Sequence, residues 1–137
     1  MPDIKDKNLI TIDEVHDILD ELAEELPQEF YDELNGGIIL LPETHESEYS
    51  LEGDLYTLGE YHSGGPLGSY ITIYYGSFVR LFPHLGREQM KTELRKTLRH
   101  EFRHHIETLA GEDDLVDEDH AYLQRYLASY GNDGKNR

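Results

Sequence analysis

From residue 12 onward the chain places apolar residues at helical intervals, Val15, Ile18, Leu19, Leu22 and Leu26, among aspartates and glutamates. Such a stripe predicts an amphipathic helix with one face on a core. Thr11 with Glu14 three residues later forms a capping box, because each side chain can satisfy a free amide at the helix start. Pro27 suits the first turn of a second short helix, Phe30 and Leu34 continue the apolar stripe, and Gly36-Gly37 supplies the left-handed residue that ends it.

The period then changes. Ile38-Ile39-Leu40-Leu41, closed by Pro42, is too brief for a helix and reads as a buried strand. An acidic loop with Glu43, Glu46, Glu48 and Glu52 leads to a second predicted strand, Asp54 to Tyr61, and a turn over His62-Ser63-Gly64-Gly65-Pro66-Leu67-Gly68. Tyr70-Ile71-Thr72-Ile73-Tyr74-Tyr75 is dense in β-branched and aromatic residues and reads as the clearest strand. Its tyrosines suit core or rim packing first, with a sheet edge to which an extended peptide adds as a strand as the alternative. A short helix over Ser77 to Phe82 is stopped by Pro83.

Glu88 to Leu109, ended by Gly111, is the longest helical pattern. At about 100° per residue, with His100 as zero, Leu98, Phe102 and Leu109 fall on the opposite face and Leu94 and Ile106 flank them. The core side and the histidine side are therefore separate. His104 lies at about 40°, Glu107 at about −20°, Glu101 at about 100° and His105 at about 140°, so His105 reads as packed toward the core. Asp117 to Tyr130 predicts a last helix with Ala121, Leu123, Tyr126, Leu127 and Tyr130 inward. Residues 1–10 and 131–137 are expected to fray. No repeat or long linker divides the chain, and 137 residues suit one α+β domain spanning 1–137.

Composition narrows the chemistry. No apolar run is long enough to cross a membrane and the N-terminus lacks a basic region followed by an apolar stretch, which together predict a cytoplasmic protein with no membrane partner. The net charge of −17 repels phosphate backbones and argues against nucleic-acid binding. Six of the twelve Lys and Arg residues, Arg87, Lys91, Arg95, Lys96, Arg99 and Arg103, nevertheless lie on the long helix, where they are expected to pair with acidic neighbours. With no cysteine, any metal must be held by imidazole and carboxylate.

His100-Glu101-Phe102-Arg103-His104 is an HExxH sequence on that helix. Residues four apart share a helix face, so His100 and His104 can present two ring nitrogens to one Zn2+ while Glu101 stands beside it as general base. A carbonyl attacked by water at such a site points to amide hydrolysis. His62 and Tyr61, beside the glycine-rich turn, are candidates for stabilising an oxyanion, and His120 is a further candidate of the same kind.

The chain resembles the small bacterial zincin-like metallopeptidase family, minimal single-domain proteins. The resemblance is carried by the acidic first helices, Asn35-Gly36-Gly37-Ile38-Ile39-Leu40, Leu55-Tyr56-Thr57-Leu58-Gly59-Glu60-Tyr61, Ile71-Thr72-Ile73-Tyr74-Tyr75-Gly76 and His100-Glu101-Phe102-Arg103-His104-His105. It implies a zincin-like fold, a small mixed sheet of three or four strands packed on the active-site helix, with helices at both ends. It also implies a zinc metallopeptidase with His100 and His104 as ligands, Glu101 as base and a peptide or protein as substrate.

The family pattern HExxHxxGxxD is not fully kept. Glu107 stands where glycine is expected, and Gly111 followed by Asp113-Asp114 looks like the same turn displaced by four residues. Gly111 lies about 10 Å along the axis from His104, and three extended residues span about 10 Å back. Asp114 is thus the expected third ligand, with Glu118 and Glu107 as alternatives. Two other readings stand beside hydrolysis: a non-catalytic zinc-binding or protein-interaction domain on the same fold, and a metal-dependent ribonuclease, which the net charge opposes.

Overall fold

The computed structural model describes residues 9–47, 56–111, 122 and 125–128. Helix α1, Ile12–Glu25, begins at Thr11 with the expected capping box and buries Val15, Ile18, Leu19 and Leu22. Ile10, in the stretch expected to fray, is itself buried, and its carbonyl accepts a bond of 2.6 Å from the Tyr75 hydroxyl.

The second predicted helix shrinks to one 3-10 turn, Gln28–Tyr31. Glu33 adopts a left-handed φ of 64°, which no helix can contain. Phe30 and Leu34 are buried all the same, so the apolar stripe persists without the helix expected to carry it.

Strands β1 (Gly37–Leu41), β2 (Gly59–Gly65) and β3 (Gly68–Tyr74) form a mixed sheet in the order β1-β3-β2. β1 runs parallel to β3 and β2 antiparallel to it. The clearest strand in the sequence is therefore the central one, and among the described residues the sheet edges lie on β1 and β2 rather than at Tyr70–Tyr75. Burial on both sides explains the dense β-branched pattern of β3, whereas β1 is only half-buried along its length.

β2 begins later than expected and continues through the glycine-rich segment, leaving Pro66-Leu67 as the turn. Tyr56 makes an isolated bridge with Glu46, and Asp54 and Leu55 lie outside the described residues. A register shift between His62 and Gly65 marks the irregularity that the glycines accommodate. Helix α2, Tyr75–Leu81, follows directly.

Helix α3, Arg87–Gly111, buries Met90, Leu94, Leu98, Phe102, Ile106 and Leu109, the face predicted from periodicity. It packs against β2, β3 and α1. Phe102 stacks on Phe30 at 5.6 Å and meets Tyr31 edge-on at 5.3 Å. Basic residues in the first half of α3 pair with α1: Arg87 and Lys91 reach Glu21 at 2.6 and 2.9 Å, and Arg95 reaches Glu25 at 2.8 Å, while Lys96 pairs with Glu93 on α3 itself. Hydrogen bonds from Arg87 and Lys91 hold the Glu21 carboxyl down at about 2. Of the last predicted helix, Tyr122 and residues 125–128 are helical, with Leu127 buried and Tyr126 edge-on to Phe30. No helix among the described residues is long and apolar enough to cross a membrane.

Candidate active site

His100 and His104 stand exposed on the solvent face of α3, with Nε2 atoms 3.3 Å apart. Two nitrogens bound at about 2.0–2.1 Å to one tetrahedral zinc ion are separated by roughly 3.3–3.4 Å. The pair thus has the spacing of two ligands on one ion. The thiol-free donor set agrees with a zinc site of imidazole and carboxylate.

Glu101, about a quarter-turn round the helix from His100, is 6% exposed. Its partner is set by the strand register. Tyr74 N–H donates to the Leu58 carbonyl, so 58/74, 60/72 and 62/70 are the hydrogen-bonded pairs of the ladder and 59/73 and 61/71 the others. The backbone groups of Gly59 and Tyr61 therefore point off the free edge of β2, and the Tyr61 N–H bonds the Glu101 carboxylate. Burial, reinforced by the negative charge of Glu60 and partly offset by the Tyr61 N–H, raises the Glu101 carboxyl to about 7.

The Tyr61 side chain points inward. Its hydroxyl lies 2.8 Å from His105 Nδ1 and 3.0 Å from Ser69 Oγ, while His105 Nε2 lies 2.8 Å from the Asp32 carbonyl. A carbonyl only accepts, so Nε2 carries the ring proton and Nδ1 accepts from Tyr61. Burial depresses the His105 pKa, in keeping with a neutral ring. His105 is fully buried, as its angle on the helix predicted.

The expected oxyanion pair is not assembled. Tyr61 spends its hydroxyl on His105, and His62 is stacked on Tyr70 at 4.4 Å with Nε2 3.1 Å from Thr72 Oγ1. Residues 60, 62, 70 and 72 share the sheet face opposite to Tyr61, so strand alternation sends His62 away from Glu101. Glu107 is exposed, and among the described residues no third His, Asp or Glu joins His100 and His104 within 4.8 Å. Asp114, Glu118 and His120 lie outside the described residues.

A cleft of about 480 Å³ opens beside His100 and Glu101, toward the N-terminus of α3. Tyr56, Thr57, Leu58 and Gly59 form one wall, Glu93, Lys96 and Thr97 the floor, and Leu81 and Phe82 the far end. Sequence reasoning missed Glu60, Gly59 and the Leu81-Phe82 wall. Their role depends on pairings between distant segments that no local spacing encodes.

No protein-family model matches the chain, and no curated protein is significantly similar to it. Among solved structures it is similar to a conserved hypothetical protein (TTHA0227) from Thermo thermophilus. The two share 35% identity over 74% of this chain and 99% of that one, with a TM-score of 0.63.

Proposed function

We propose that this chain, which belongs to the family of the conserved hypothetical protein TTHA0227, is a zinc-dependent hydrolase of peptide bonds. The observation that carries the reading is the 3.3 Å pair of imidazole nitrogens on the same helix turn as the buried carboxyl of Glu101. The resemblance of the HExxH segment and the strands to zincin-like metallopeptidases supports it.

His100 and His104 are the residues that would hold the ion, with Asp114 proposed as third ligand ahead of Glu118. Zinc bound there supplies a Lewis acid that acidifies water and polarises a carbonyl oxygen. The remaining chemistry belongs to the chain. Glu101, buried on the same helix turn as the two histidines, is the carboxylate proposed to take a proton from water and pass it to the leaving amine. The Tyr61 N–H orients that carboxylate. Gly59 presents its backbone N–H and C=O off the β2 edge, where an extended peptide can pair, while the Tyr61 N–H is taken by Glu101.

Two measurements test the proposal together. Protein purified without chelator is expected to contain close to one zinc per chain, and the His100→Ala, His104→Ala double variant close to none. Equal, near-zero zinc in both would refute the metal site. Glu101→Gln is expected to keep zinc and to lose at least about a hundredfold in hydrolysis of a peptide library. A second reading, zinc binding without turnover, is favoured by the bond that already engages Glu101 with Tyr61. It gains if the zinc-loaded wild type cuts no peptide.

A further inference from the structure

The cleft beside Glu101 is built from two different kinds of surface. Along one wall the chain shows backbone: Gly59 has no side chain, and its N–H and C=O point off the free edge of β2, as the 59/73 pairing requires. Beside and beyond it the lining is apolar, with Leu58 on the same wall and Phe82 and Leu81 at the far end, the last 43% exposed. The two charged residues of the floor cancel, because Lys96 Nζ lies 3.6 Å from a Glu93 carboxylate oxygen one helical turn away.

We propose that this cleft is a specificity pocket that seats a bulky apolar side chain, leucine- or phenylalanine-like, of an extended peptide, a proposal that rests on the hydrolase reading above. Backbone groups on the β2 edge hold the main chain of the peptide and are indifferent to its sequence, so selection falls to what the side chain meets. Here it meets Leu58, Leu81 and Phe82. A carboxylate or ammonium entering the same space finds the floor charges already paired and loses its water. At about 480 Å³ the cleft lies within the range of pockets that enclose a ligand, roughly 300–1,000 Å³, and holds a large side chain with a neighbouring residue. His100 and Glu101 are part of its lining, so the seated residue lies next to the bond to be cut.

The test uses the full-length protein and a set of fluorescent octapeptides in an alanine and serine background, identical except that one position, moved along the peptide, carries Ala, Ser, Asp, Lys, Leu or Phe. Binding is read by anisotropy on the Glu101→Gln variant and cleavage on zinc-loaded wild type. Leu and Phe peptides are expected to bind at least about tenfold more tightly than the Ser and Asp peptides. Adding Leu81→Asp should abolish that preference. Leu67→Asp should leave it intact, since Leu67 is an exposed leucine at the β2–β3 turn outside the cleft. Equal or absent binding across the series, or a preference that survives Leu81→Asp, overturns the pocket. Selective binding without cleavage by the wild type would uphold the pocket and defeat the hydrolase reading, and cleavage without selectivity would do the reverse.

Discussion

At the scale of single residues, the two histidines and the glutamate of the motif owe their arrangement to one helix, which is why they were legible. A repeat of four residues fixes His100 and His104 on a common face whatever surrounds them. The helical angle of about 140° likewise sent His105 inward. The state of Glu101 was not legible, because it depends on a strand far earlier in the chain. Its raised pKa has a thermodynamic sign. In metal-free protein the folded state keeps the proton up to about pH 7, whereas the unfolded chain releases it near 4.5. The folded state therefore binds more protons across that window, and this residue's contribution to stability falls as pH rises through it. With a shift from 4.5 to about 7, the upper bound is about 3 kcal/mol. Glu101→Gln, which still accepts a bond from Tyr61 N–H, is expected to be more stable than wild type at pH 8 and equal to it at pH 4. Urea unfolding in the presence of chelator measures both. A pH-independent difference would argue against a buried, protonated carboxyl.

At the scale of elements, helices were predicted better than strands, and for a physical reason. Periodicity over many residues identifies α1 and α3, and Thr11 with Glu14 fixes where α1 begins. β2 carries glycine where it pairs irregularly with β3, so its composition resembled a loop and its continuation through Gly65 was hidden. The 3-10 turn was misread because Glu33, a residue with no helix-breaking signature, takes the left-handed conformation. Gly59 shows what the sequence does not announce. A Cβ there would lie 3.0 Å from the Thr72 carbonyl oxygen, 3.0 Å from Thr97 Cγ2 and 3.2 Å from Ile73 Cδ1, so glycine sets how closely β2 approaches α3. Gly59→Val should push the two apart and cost about 1–3 kcal/mol, measured by urea unfolding. It should also weaken the Tyr61–Glu101 contact, so any hydrolysis should fall further than stability predicts. Unchanged stability would mean that the strand moves without penalty.

At the scale of the whole molecule, charge and core divide the chain differently. The net charge of −17 was plain from composition, but its placement is a structural fact: Arg87, Lys91 and Arg95 of α3 face Glu21 and Glu25 of α1 and hold two helices together. They do not form a basic groove. The α+β class was legible from the alternation of periods along the sequence, whereas the strand order was not, since a parallel β1–β3 pair and an antiparallel β2–β3 pair fit the same string of elements. Among the described residues that order leaves β2 with one open side, and the bond between Glu101 and Tyr61 acquires a consequence unconnected with chemistry. Unpaired strand edges template self-association, and a carboxylate set against such an edge guards it. Glu101→Ala strips the guard from the Tyr61 N–H, while Glu101→Gln leaves an acceptor in place. In sedimentation velocity the alanine variant is expected to shift toward larger species as concentration rises, and the glutamine variant to behave as wild type. Identical profiles would show that the edge is protected by other means. The glutamate proposed as the general base would also keep the molecule from adopting another copy's strand as its own.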